Sequence, residues 1–208
     1  MQYFDKIYVI CTDKNCVRHE KGYWRSDIQN KIQLLQQKYS HTRKRYNNFR
    51  SHLKAINNAK NTNFDNVLIL EDDVRPVAKH TFTRKDLTQI IKKLAHQKWD
   101  VIRLASYPRL FSIYHRHKKC SKECKCRAIT PRMCEIKGFC DMRNTEAYAV
   151  HRRAFSKFPF SYNGSLWFDQ WINRVNLTQL YIMPQVFVQQ IKQGDLYTTE
   201  IFKKKCFK

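Results

Sequence analysis

Residues 67–70, Val-Leu-Ile-Leu, run directly into Glu71, Asp72 and Asp73. A short unbroken apolar run between polar segments reads as a buried strand. Ahead of it, Tyr46, Phe49, Leu53 and Ile56 recur at helical spacing and mark an amphipathic helix. Burial carries the strand inward, and the acids at its end put negative charge at the rim of a sheet. That charge repels itself unless a cation joins it. The chain is otherwise basic, with 40 Lys plus Arg against 17 acids and a formal net charge of +23, so an acidic point of this kind directs attention to itself.

Strand-like and helix-like segments alternate through the first half. Lys6–Cys11 reads as a strand, and a helix is expected from Ser26 with Ile28, Ile32, Leu35 and Tyr39 on one side. A further helix opens near Thr83 with Thr-Arg-Lys-Asp, close to a capping box, and turns Leu87, Ile90, Ile91 and Leu94 inward. Val101–Leu104 is the next strand. This rhythm predicts an α/β fold with a mainly parallel central sheet. Regularity returns with a strand over 147–150 and short helices near Arg153 and from Asp169, the latter carrying Trp171, Ile172 and Val175. Closing strands are expected at 180–182 and 186–188. Between them, residues 106–143 are Cys-rich, basic and aperiodic, and read as an insert; residues 203–208 form a basic tail.

With 208 residues, 42% of them apolar and 13% aromatic, the chain suits one globular domain. No apolar run nears the roughly 18 residues of a membrane span, and the N-terminal segment lacks a signal-peptide layout. The expectation is a soluble or peripherally membrane-associated cytoplasmic protein. The positive excess suits a polyanionic partner: a nucleotide, a nucleic acid, an anionic glycan or an acidic membrane surface. It equally fits a lysine-rich composition with most charges solvated. Neither a Walker A loop nor GxGxxG is present among the four glycines, so a bound phosphate would be held by metal and basic side chains.

Ligands of open α/β sheets sit at the C-terminal strand edge, where Glu71, Asp72 and Asp73 fall. Hard cations such as Mg²⁺ and Mn²⁺ take carboxylate oxygens and share their shell with substrate phosphates. The alternative is a solvated acidic turn.

The segment 51–74, SHLKAINNAKNTNFDNVLILEDDV, resembles the core of glycosyltransferase family 25, the lipooligosaccharide and collagen galactosyltransferases. That family shows a Ser-His pair on a helix and, some eighteen residues later, a buried strand ending in EDD. KIYVI, WDVIRLA (99–105), TEAYAVHRRAFSKF, FDQWI around Asp169 and MPQVFVQQ resemble further family segments in the same order. The resemblance implies a GT-A fold, a nucleotide-binding α/β sandwich with a DxD-like motif, Mn²⁺ (or Mg²⁺) and a nucleotide-sugar donor, foremost a UDP-sugar. It implies Asp73 as the main metal ligand, with Asp72 and Glu71 on the metal's water shell or the donor ribose, and Ser51 and His52 supporting the donor pocket. Thr12, Asp13 and Arg18 stand where the family makes donor contacts, although here Cys11-Thr12 replaces the usual Asn-Leu. Family members invert the sugar, which needs a base for the acceptor hydroxyl of a glycan or glycoprotein. Asp169, after Trp167 and Phe168, suits that role; as a bare residue it equally suits a helix N-cap.

Within the insert, Cys120, Cys124, Cys126, Cys134 and Cys140, with His117, lack the regular CxxC pairs of zinc fingers. Structural Zn²⁺, disulfides and free thiols all remain open. The competing functional reading is a nucleic-acid-binding or metal-dependent nucleic-acid-processing protein using the basic surface and this segment. Nucleic acid is the less favoured partner, because no recognised binding motif is present and a bare acid cluster repels a phosphate backbone.

Overall fold

The computed structural model of the chain describes residues 3–12, 29–37, 44–76, 84–105, 107–108, 125–137, 142–143, 145–161, 166–182 and 186–189. A central eight-stranded sheet dominates. Its strands are β1 (Lys6–Thr12), β2 (Ile32–Gln37), β3 (Asn66–Glu71), β5 (Val101–Arg103), β7 (Lys125–Thr130), β8 (Met133–Lys137), β10 (Ala147–His151) and β11 (Gln179–Ile182), in the order β2-β1-β3-β10-β5-β11-β8-β7. Two small antiparallel pairs join β4 (Val74–Pro76) to β12 (Phe187–Gln189) and β6 (Tyr107–Pro108) to β9 (Met142–Arg143). The helices are α1 (Lys44–Lys60), α2 (Arg84–His96) and α3 (Phe168–Ile172), with a 3₁₀ turn at Arg152–Lys157.

The strands are apolar on both faces because both faces are covered. Ile7, Val9, Leu68, Leu70, Ala147 and Ala149 pack with Ile90 and Leu94 of α2. Their neighbours Tyr8, Ile10, Val67, Ile69, Tyr148 and Val150 pack on the other face with Phe49, Leu53 and Ile56 of α1 and with Phe168 and Ile172 of α3. The period-two alternation of strand side chains thus feeds two cores and yields a three-layer α/β sandwich.

Several expectations need correction. The sheet is mixed rather than mainly parallel: β10 runs antiparallel between β3 and β5, and β8 antiparallel to both β11 and β7. Residues 32–37, expected on a helix, form β2, parallel to β1. Ile32 and Leu35 lie at helical spacing, but the intervening Leu34 makes the same stretch equally apolar as an edge strand. Ile91 is 46% exposed and does not join the buried face of α2; the Leu87 side chain lies outside the described residues. Part of the expected insert is integral to the fold, since β7 and β8 extend the central sheet and Met133 is fully buried.

Candidate functional site

The reversed direction of β10 builds the site. β1, β3, β5 and β11 all end on one edge of the sheet, and β10 begins there. Ala147 pairs with Leu70, and the Glu71 N–H donates to the Glu146 carbonyl at 2.7 Å. Two acids far apart in sequence therefore meet at the same rim, Glu71 closing β3 and Glu146 preceding β10. Asp72 and Asp73 form the turn that follows, held from behind by the β4–β12 pair.

Register also aligns Ile69, Tyr148, Arg103 and Tyr181 across four strands, on the face covered by α1 and α3. A cation in the centre of the sheet is costly unless it is partnered. Arg103 is fully buried and donates through Nε to Gln179 Oε1 at 3.0 Å and through Nη2 to Asn173 Oδ1 at 3.2 Å, while Nη1 has no hydrogen-bond partner. Burial lowers its pKa to about 10, against the opposing pull of Tyr148, Asp169 and Glu146. Gln179 in turn donates Nε2 to the Ile172 carbonyl at 3.1 Å, so β11 and β5 together fix the end of α3. That places Asp169 in the first turn of α3 within the field of Arg103. The N-cap of this helix is Trp167, so Asp169 is not the cap; its Oδ1 accepts from the Gln170 N–H at 2.8 Å.

Glu146 is the electrostatic centre. Burial, and then the charges of Glu71, Asp73 and Asp169, push its carboxyl well above the ordinary range, and its buried Oε2 has no hydrogen-bond partner. Asp73 and Asp169, proposed from sequence as parts of one site, thus act on the same buried group.

His52 braces this edge from α1. It is fully buried and stacks on Phe168 at 4.4 Å between ring centroids. Its Nε2 lies 3.1 Å from Glu71 Oε1 and its Nδ1 3.0 Å from the Tyr148 hydroxyl. A carboxylate only accepts, which assigns the proton to Nε2 and leaves Nδ1 to accept from Tyr148. Burial raises the Tyr148 phenol well above its usual pKa, so it stays a donor. Ser51 donates Oγ to the Asn47 carbonyl at 2.9 Å and faces away from the acids, along the outer side of α1.

The remaining sequence candidates fall elsewhere. Asp13, Arg18, His117, Cys120, Cys124 and Cys140, and the side chains of Thr12 and Cys126, lie outside the described residues. Cys134 and Cys11 are each disulfide-bonded, so Cys134 is not a thiolate available to zinc. Disulfides belong to oxidising surroundings, and the cytoplasmic expectation draws no support from them. Sequence reasoning missed Glu146, Arg103 and Tyr148. An acid directly before Ala-Tyr-Ala-Val, and an arginine within Val-Ile-Arg-Leu, were the available signals.

A hard divalent cation fits the donor set in kind: the carboxylate oxygens of Glu71, Asp72 and Asp73 follow one another at a strand edge. Among the described residues no three His, Cys, Asp or Glu side chains form a ready metal cage. A cation here would complete its shell with water and substrate oxygens, as Mg²⁺ sites with one or two protein carboxylates do.

No family model matches the chain, and no curated protein matches it. Among solved structures it is similar to A197 from STIV, with 11% identity over 88% of this chain and 83% of that one and a TM-score of 0.44. It is also similar to apo UDP-glucose pyrophosphorylase, with 11% identity over 85% and 72% and a TM-score of 0.45. A third is HddC from Yersinia pseudotuberculosis, with 12% identity over 98% and 79% and a TM-score of 0.42. Likeness at this distance assigns no activity. No described helix is long and apolar enough to cross a membrane.

Proposed function

We propose that the chain is a metal-assisted glycosyltransferase related to family 25, with a GT-A type of sandwich, moving a sugar with inversion from a nucleotide sugar to a hydroxyl acceptor. The observation that carries this reading is the convergence of Glu71, Asp73 and Asp169 on buried Glu146, produced by the antiparallel entry of β10. Glu71 and Asp73 from one stretch of chain and Asp169 from another supply the charges that act on buried Glu146, which supports the reading.

Asp73, with Asp72 or Glu71, would hold Mn²⁺ or Mg²⁺. When bound, the cation neutralises charge on the diphosphate of the leaving nucleotide. His52 and Tyr148 fix the Glu71 carboxylate so that it presents one orientation to ligand. Asp169 takes the proton from the acceptor hydroxyl; that oxygen forms the new bond to the anomeric carbon as the bond to the diphosphate oxygen breaks, and its electron pair leaves with the nucleoside diphosphate. Arg103 holds α3 and its carboxylate in register through Asn173 and Gln179. A Glu146 that keeps its proton limits the repulsion the other carboxylates would meet.

The test is nucleotide release from a panel of UDP-, GDP- and CMP-sugars with and without Mn²⁺. Release from at least one donor, stimulated by metal and reduced at least ~100-fold in Asp73→Ala, is expected. Release from none of them, or release unchanged in Asp73→Ala, sinks the reading.

A further inference from the structure

A groove of about 610 Å³ runs along the outer side of α1, bounded by the end of β2 on one flank and by Phe160 on the other. Its span along the helix, from Tyr46 to Asn58, is about 18 Å at the usual rise per residue. Such a length suits a chain of linked groups better than a single small molecule.

The lining has a consistent chemistry. Five carboxamides, those of Gln36, Gln37, Asn47, Asn57 and Asn58, face it, and no described carboxylate does. Each carboxamide offers a donor and an acceptor side by side, the pattern that adjacent hydroxyls on a sugar ring complement. Arg50 and Lys54 add positive charge, and with no acid among the described lining residues they favour an anionic ligand. Two rings complete the wall. Arg50 sits over Tyr46 at 5.4 Å, and Lys60 over Phe160 at 4.4 Å, while Phe160 stays 78% exposed. An exposed ring held in place suits stacking against the C–H face of a sugar.

Asn57 donates Nδ2 to the Phe160 carbonyl at 3.1 Å, but its buried Oδ1 has no hydrogen-bond partner.

The geometry points to an acidic-oligosaccharide binding site in this groove, on the side of α1 opposite the acid cluster. This site stands independently of the transferase reading.

Calorimetric titration of the purified protein, without donor or metal, tests the site with a hyaluronan tetrasaccharide (uronate-bearing), neutral maltotetraose and a single-stranded DNA tetramer. The expected result is that hyaluronan binds at least ~10-fold tighter than either of the others. Arg50→Gln with Lys54→Gln should remove that advantage, and Phe160→Ala should weaken both saccharides. These side chains are at the surface, and a thermal melt of each variant checks folding. Equal binding of neutral and acidic saccharide, tighter binding of the DNA, or hyaluronan affinity unmoved by the double variant overturns the proposal. Hyaluronan binding in a protein that releases nucleotide from no donor would uphold the groove and sink the transferase reading. Nucleotide release in a protein that binds none of the saccharides would sink the groove alone.

Discussion

Glu146 sits one residue ahead of β10, with a buried oxygen lacking a hydrogen bond and three carboxylates as its charged neighbours. Its native pKa is raised, so the folded protein holds this proton more tightly than the unfolded chain. The stability it contributes is therefore complete below the ordinary value near 4.5 and is lost as pH rises through the native value. Glu146→Gln keeps the shape and cannot ionise. In the presence of a chelator, its melting temperature should gain on the parent protein steadily as pH rises from about 4.5. A difference that does not change with pH would show that Glu146 is ionised like an ordinary surface acid. Residues of this kind were hidden in the sequence for a definite reason. Glu71, Asp72 and Asp73 stand out because they follow a strand that any parallel sheet would end there. Glu146 stands before its strand, and only the reversed direction of β10 brings it to the same rim. Asp169 was singled out through the family resemblance and its aromatic neighbours, whereas Arg103 was read only as part of the strand Val101–Leu104.

At the scale of elements, one carboxylate ties three of them together. Asp100 leads into β5 and is buried; it accepts from Lys157 Nζ at 2.6 Å, Arg153 Nε at 2.9 Å and the Thr178 N–H at 2.8 Å. These bonds fasten the 3₁₀ turn and the start of β11 to the sheet. Burial alone would raise its pKa, but the Lys157 and Thr178 hydrogen bonds and the charges of Arg153 and Lys157 outweigh that and leave it lowered. Its contribution is then present above the ordinary value of 3.8 and fades as pH falls through the native one. Asp100→Asn should cost about 2 kcal/mol at neutral pH, a figure kept low because both cations are about a third exposed and water can resolvate them. Urea unfolding at pH 7 and pH 3 checks this: the cost should shrink at the lower pH, and an equal cost at both would refute the linkage. Most elements were readable from periodicity, including α1, β3 and β10, because each carries a long or clean apolar pattern. β2 was misread as helix because three apolar residues in six positions satisfy either period, and only pairing with β1 decides between them.

Across the whole molecule, Cys11 and Cys134 are half-cystines on strands five steps apart in the sheet. At about 4.8 Å per step they stand roughly 24 Å apart, far beyond the reach of one bond, so the protein contains at least two disulfides. Reduction should lower the melting temperature reversibly, with about 2–4 kcal/mol lost per bridge. Thermal unfolding with and without a phosphine reductant measures it, and identical melts would deny both bridges a role in stability. The strand order carries another consequence, for how the chain reaches its native state. β3 and β5 are separated in space by β10, which follows them by dozens of residues, so β3 lacks one neighbour and β5 lacks both of its neighbours until later strands emerge. Pairings of such sequence separation close slowly, and an unfilled slot between apolar strands invites another chain to occupy it. A nascent chain halted before residue 145 would hold the acidic turn but no completed rim. Its exposed strand edges would make it a client for chaperones during synthesis.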